Sequence, residues 1–141
     1  MRLQDILNVK GTEVFTIHSQ ATLSDVVAKL VDCNCGSLVV CDGNVMVGII
    51  TERDILQGCK TWSGQLNDVL VCEGMSVNVT TGSPDDEVDD IMGLMTRKRI
   101  RHLPILKDGL LAGMISIGDV VKAQHSRLSM ENHYLKEYIQ S

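Results

Sequence analysis

The chain has 141 residues, 44% of them hydrophobic and 22% charged, with a net charge of −5. That length supports a core without disulfide or metal staples. The acidic balance and an aromatic content of only 3% argue against both a phosphate-backbone surface and a base-stacking platform, so no nucleic acid partner is expected. No apolar run approaches the ~18 residues of a membrane helix. The opening Met1-Arg2-Leu3-Gln4-Asp5 carries an acid too early for a secretory leader, so no membrane partner and a cytoplasmic location are expected.

In chain order, a lead-in Leu3-Gln4-Asp5-Ile6-Leu7 precedes a short strand at Val14 and Thr16. Thr22 with Asp25 reads as a helix start, and Leu23, Val26, Val27 and Leu30 follow at the i, i+3, i+4, i+7 spacing of one buried stripe. Gly36 to Val40, a turn at Asp42-Gly43-Asn44, and Val45 to Ile50 read as a hairpin. A second helical stretch begins after Thr51, and Gly58 to Gly64 forms a connector.

The same order then returns. Val79 and Thr81 stand 65 residues after Val14 and Thr16, and the stripe Val88, Ile91, Met92, Met95 stands 65 after the first. The hairpin returns as His102 to Leu106, Lys107-Asp108-Gly109, and Leu110 to Ile115. Pro104 lacks a ladder donor and is expected toward a strand edge or end. The lead-in resembles Leu66-Asn67-Asp68-Val69-Leu70 at an offset of 63, which implies two extra residues around Val71 to Gly74. Beyond Ser126, Leu128, Leu135 and Ile139 with Tyr134 and Tyr138 predict an amphipathic helix, able to dock on its own domain or on a second subunit.

The strongest signal is Gly48-Ile49-Ile50-Thr51-Glu52-Arg53-Asp54-Ile55, which returns as Gly113-Met114-Ile115-Ser116-Ile117-Gly118-Asp119-Val120. A hydroxyl and an aspartate at the mouth of a strand-to-helix turn, twice at constant spacing, point to two equivalent ligand sites. The same pair also fits a helix capping box. Arg97-Lys98-Arg99-Ile100-Arg101-His102 gathers positive charge in an acidic chain. Arg97 and Lys98 suit a helix end, and the positions equivalent to Arg101 and His102 are the uncharged Gly36 and Ser37. His18, His125 and His133 read as surface residues, and Met92 and Met95 as core. Cys33, Cys35, Cys41, Cys59 and Cys72 form no Cys-x-x-Cys pair, which favours free thiols in a reducing compartment. No nucleophile–base pair and no metal cage stand out.

The tandem strand, helix, strand, strand, helix unit, each closed by Gly-x-x-Thr/Ser-x-x-Asp, resembles the paired CBS domains or Bateman module, in particular small stand-alone CBS-pair proteins of bacteria and plants. The resemblance covers Leu3 to Ala123. It implies an α/β (α+β) fold in which two pseudo-symmetric β-α-β-β-α repeats, 1–60 and 61–125, pack as one domain, with 126–141 as the C-terminal helix. It implies a non-catalytic regulatory module with no catalytic cofactor, signalling to a regulated partner protein, and commonly a homodimer. Its ligand would be an adenine nucleotide in clefts between the repeats, AMP foremost, with ADP, ATP, NAD(H) or S-adenosylmethionine as others. By the same resemblance Asp54 and Asp119 would take ribose hydroxyls. Thr51, Ser116, Arg53, Arg101 and His102 would serve phosphate, unequally in the two sites. The alternative is a structural or thiol-responsive adaptor with vestigial clefts, acting through Cys33, Cys35 or the C-terminal helix.

Overall fold

The computed structural model describes residues 1–140. Its helices are α1 (Leu3–Lys10), α2 (Leu23–Cys33), α3 (Glu52–Thr61), α4 (Val71–Gly74), α5 (Val88–Lys98) and α6 (Ile117–Gln140), and its strands are β1 (Thr16–Ile17), β2 (Ser37–Asp42), β3 (Val45–Thr51), β4 (His102–Lys107) and β5 (Leu110–Ser116). The chain gathers into two compact units. One holds residues 13–81 and 108–111 and is here called the Asp54 unit; the other holds 1–12, 82–107 and 112 onward and is called the Asp119 unit.

In the Asp54 unit, α2 buries Leu23, Val26 and Leu30 of the stripe expected from spacing, with Val27 half-buried, against Leu38, Val40 and Ile50 of the sheet and Val69 and Val71 of the second lead-in. Thr22 caps α2 reciprocally with Asp25. β1 pairs parallel with β2, and β2 antiparallel with β3, so that Ser37 faces Thr51 across the ladder.

In the Asp119 unit, Val88, Ile91 and Met95 of α5 pack with Leu103, Ile105, Ile115 and Val120, and with Leu3, Ile6 and Leu7 of the first lead-in. Arg97 and Lys98 occupy the last turn of α5, where positive charge suits the helix dipole. The third strand of this unit is reduced to one parallel bridge, Gly82 to Ile105. Pro104 explains the loss. Its counterpart Val39 donates its N–H to the Phe15 carbonyl at 3.1 Å, and Pro104 has no N–H to give. Its carbonyl still accepts from Gly82 at 3.0 Å. The proline sits inside β4, not at its end, but on the side where pairing is thinnest.

The lead-in alignment at an offset of 63 is corrected by the hydrogen bonds. Leu3 N–H donates to Asp86 O as Val71 N–H donates to Ala21 O, and Gln4 to Pro84 as Cys72 to Ser19. The isolated bridges Arg2 to Glu87 and Thr22 to Leu70 match in the same way. Leu3 therefore corresponds to Val71, an offset of 68, and the second copy has lost residues between lead-in and strand rather than gained two. The loss shortens the helix from eight residues in α1 to four in α4. Leu66-Asn67-Asp68 instead forms a separate 3-10 turn.

The compact units also cut across the sequence repeats. The lead-in of each repeat is built into the unit that carries the helical stripe of the other. The helix expected from residue 126 is the far part of α6, which runs unbroken for 24 residues from the second motif. After Gly118 it contains no glycine or proline to stop it.

Candidate ligand site

Each motif places its hydroxyl at the end of a strand and its aspartate in the first turn of the following helix. The glycine that opens the motif is needed for close approach. A Cβ on Gly48 would lie 2.7 Å from the Ser76 carbonyl oxygen, and one on Gly113 would lie 2.7 Å from Leu7 Cδ2. The lead-in chain thus passes directly over the strand that delivers Thr51 or Ser116.

At the first turn, Thr51 N–H donates to Asp54 Oδ2 at 3.0 Å, and Asp54 N–H donates back to Thr51 Oγ1 at 3.3 Å. At the second, Ser116 N–H donates to Asp119 Oδ2 at 2.9 Å and Asp119 N–H to Ser116 Oγ at 3.1 Å. Both are capping boxes. The same geometry holds at Thr22 and Asp25, with 2.9 and 3.2 Å, so the box alone does not mark a ligand site.

What distinguishes the motif carboxylates is a further donor from a distant lead-in. Ser76 Oγ donates to Asp54 Oδ1 at 3.3 Å, and Ser76 is itself fixed by paired backbone bonds to Ile49 at 3.0 and 2.9 Å. Asp119 meets a charge instead: Lys10 Nζ lies 2.5 Å from Asp119 Oδ2 and 2.6 Å from the Met114 carbonyl oxygen. The two side chains retain only 32% and 24% exposure. Burial pushes the Asp119 carboxyl upward and is the largest single influence. The hydrogen bonds from Lys10 and Ser116 and the Lys10 charge together outweigh it and hold the group below the usual carboxylate range.

A carboxylate offers about four lone-pair positions. At Asp54, Oδ2 serves the Thr51 N–H and hydroxyl, and Oδ1 serves the Ser76 hydroxyl. Acceptor capacity remains on Oδ1. At Asp119, the bonds from Lys10 and Ser116 both fall on Oδ2.

Arg53 is exposed in the first turn of α3, between Glu52 and Asp54. Arg101 is exposed immediately before β4, and its carbonyl accepts the Ile117 N–H at 2.8 Å, as Gly36 accepts that of Glu52 at 3.1 Å. That bond brings Arg101 to the turn bearing Ser116 and Asp119. His102, half-buried, starts β4, where the other unit has the buried Ser37. Thr51, Arg53 and Asp54 thus share one turn, and Arg101, His102, Ser116 and Asp119 belong to the other unit. Sequence reasoning missed Ser76 and Lys10. Lys10 reads in sequence as a basic helix end, and nothing local announces a partner 109 residues away.

His18 is exposed, as expected, and it also has partners. Its Nδ1 accepts the Gln20 N–H at 3.0 Å, and its Nε2 lies 3.3 Å from Asp42 Oδ1. Asp42 also receives the Ser19 hydroxyl at 2.8 Å. The hydrogen bonds from the Ser19 hydroxyl and N–H are the foremost causes of a lowered Asp42 carboxyl. Among the described residues, no cluster of three or more His, Cys, Asp or Glu is arranged to hold a metal ion, and no helix is long and apolar enough to cross a membrane.

The sequence profile of the CBS domain matches twice, at residues 5–60 and 67–126. The chain belongs to the CBS-domain family. Among curated relatives of this CBS pair is the Arabidopsis thaliana "CBS domain-containing protein CBSX3, mitochondrial", 39% identical over an alignment that covers 98% of this chain and 71% of the relative. Among solved structures, the CBS-domain containing protein ATU1752 from Agrobacterium tumefaciens superposes with a TM-score of 0.85 at 34% identity, covering 88% of this chain and 99% of that one. The CBS domain pair of protein MJ0100, solved in complex with 5′-methylthioadenosine and S-adenosyl-L-methionine, gives a TM-score of 0.77 at 26% identity, covering 87% and 98%. The profile boundaries follow the sequence repeat, whereas the compact units exchange their lead-ins.

Proposed function

We propose that this CBS pair is a non-catalytic regulatory module that binds an adenosine compound at its strand-to-helix turns and reports occupancy to a partner protein. The observation that carries the reading is Asp54. Its carboxylate is held by Thr51 on one oxygen and Ser76 on the other, and acceptor capacity remains on Oδ1. A fixed acceptor suits the hydroxyls of a ribose cis-diol. The adjoining helix start, with Arg53 beside it, suits a phosphate. The adenosine ligands named for the MJ0100 pair support the same class.

The turns are unequal. Lys10 pairs with Asp119, and the exposed Arg101 is joined to the same turn through its backbone, so the surplus positive charge near this turn favours an anionic group. At Asp119 the ammonium is a donor to the same carboxylate, on Oδ2, whereas at Asp54 the donors from Thr51 and Ser76 are neutral. AMP heads the candidates, with ADP, ATP, NAD(H) and S-adenosylmethionine behind it. The thiol-responsive alternative is weakened at Cys35. Burial first, and then the neighbouring Cys33, push that thiol above its ordinary value, away from the reactive thiolate form.

The test is thermal unfolding of nucleotide-free protein against each compound, followed by calorimetry of Asp54→Ala. A ligand at ~100 times its Kd adds ~2.7 kcal/mol to native stability. Losing the charged acceptor should weaken binding by about 1.5–3 kcal/mol, or roughly ten- to a hundredfold. If no compound raises the unfolding midpoint, or Asp54→Ala binds as the parent does, the reading fails.

A further inference from the structure

The two motif turns carry opposite charge, although their Gly-x-x-Thr/Ser-x-x-Asp pattern is shared. At the first turn Asp54 stands beside Glu52 and Arg53, both exposed. Its donor from the distant lead-in is the uncharged Ser76 hydroxyl. Two carboxylates against one guanidinium leave this turn with surplus negative charge. At the second turn the places of Glu52 and Arg53 are taken by Ile117 and Gly118, which carry none. Asp119 is met there by Lys10. The exposed Arg101 is tied to the same turn, since its carbonyl accepts the Ile117 N–H at 2.8 Å. Its counterpart Gly36, which accepts the Glu52 N–H in the same way, has no side chain. Two cations against one carboxylate leave the second turn with surplus positive charge.

Lys10 is placed to do more than balance Asp119. An ammonium has three N–H donors. Asp119 Oδ2 at 2.5 Å and the Met114 carbonyl at 2.6 Å take two of them, which leaves the third for a ligand. The side chain keeps 32% exposure, so it is within reach of solvent and of a bound molecule. Its two bonds fix the ammonium in advance, and little side-chain freedom is then lost when a ligand arrives. A part-buried cation is also screened less by salt than an exposed one. On Asp119 the donors from Lys10 and Ser116 fall on Oδ2, so Oδ1 keeps acceptor capacity for a hydroxyl. An acceptor and a charged donor stand side by side, which suits a ribose that carries a phosphate.

We infer that the two turns divide adenosine compounds by charge: the Asp119 turn, through Lys10 with Arg101, selects 5′-phosphorylated adenosine, and the Asp54 turn has no such preference. The inference rests on the reading of both turns as adenosine sites. It adds Lys10 to the binding residues and gives one turn a nucleotide as its ligand. The phosphate of AMP carries a charge of about −1.5 to −2 at neutral pH. It is attracted by the surplus at Asp119, whereas at the first turn Glu52 offsets Arg53. Adenosine, being uncharged, feels neither.

Calorimetric titration of the full chain with AMP and with adenosine tests this. Asp54→Ala disables the first turn, and the site that remains should bind AMP about tenfold more tightly than adenosine, or better. Adding Lys10→Met should lower that ratio by about tenfold. A lysine with a merely structural role would weaken both compounds alike and leave the ratio where it was. Lys10→Gln removes the charge and keeps a neutral donor; it should lower the ratio too, and it serves if the methionine variant does not fold. Asp119→Ala isolates the first turn, where the two compounds should bind within about threefold of each other. Equal affinities in Asp54→Ala overturn the inference, and so does a ratio that neither Lys10 variant changes. If the parent binds AMP and Asp54→Ala binds neither compound, the inference falls while the reading of Asp54 stands. If the parent binds neither, that reading has failed and the inference falls with it.

Discussion

Lys10→Met is the substitution whose consequences follow most directly from the geometry. It removes an ammonium that bonds Asp119 Oδ2 at 2.5 Å and the Met114 carbonyl at 2.6 Å, while methionine keeps most of the apolar stem. Hydrogen bonds to charged groups contribute about 1.5–3 kcal/mol each. At 32% and 24% exposure solvent screens part of that, so the two together are taken as about 2 kcal/mol. For a chain of this length the unfolding midpoint should fall by roughly 6–8 °C. The pH dependence carries the sign. The Asp119 carboxyl is held below its unfolded value, which is about 3.9. Its contribution is therefore complete above about pH 5 and is lost as pH falls through the unfolded and then the folded value. Calorimetric melts of parent and variant should differ by a constant amount from pH 5 to 8 and converge in acid. A difference under about 2 °C at pH 7, or one that widens below pH 4, would refute the assignment of Lys10 to Asp119.

Gly48→Ala places a Cβ 2.7 Å from a backbone oxygen, whereas in Gly113→Ala the obstacle is the end of the Leu7 side chain. Urea denaturation should show the first costing about 1–3 kcal/mol and the second clearly less; equal costs would mean that the chain over Gly48 yields as easily as a leucine rotamer. Cys59 and Cys72 are exposed, and burial first raises the Cys35 and Cys41 thiols. Mass spectrometry of timed iodoacetamide labelling at pH 7 should find Cys59 and Cys72 modified before Cys35 and Cys41, and early labelling of Cys35 would revive the thiol-responsive alternative.

The architecture was legible because burial imposes periodicity. Leu23, Val26 and Leu30 and their counterparts Val88, Ile91 and Met95 are buried at the predicted spacing, while Val27 and Met92 are half-buried. The motif turns were legible because strand end, cap and first helical turn are contiguous in sequence. The lead-ins were not. Leu3 to Leu7 and Leu66 to Leu70 share a pattern of apolar and polar letters, and only long-range backbone bonds show that Val71 is the true match for Leu3. The loss of a strand at Thr81 follows from the N–H that Pro104 lacks, but seeing it required knowing that Val39 uses its own N–H on Phe15. Lys10 and Ser76 lay hidden because a side chain's partner across the fold leaves no local trace.

The exchange of lead-ins bears on the order in which the chain is made. Leu3, Ile6 and Leu7 belong to a core whose other walls include Ile115 and Val120. These leave a ribosome more than a hundred residues later. At about 5–20 residues per second, α1 waits on the order of 5–20 s for its seat. The core of the Asp54 unit, Leu23 through Val71, is synthesised entirely within that interval and can condense first. Until Ile115 and Val120 have been made, the apolar face formed by Leu3, Ile6 and Leu7 lacks part of the core it packs into.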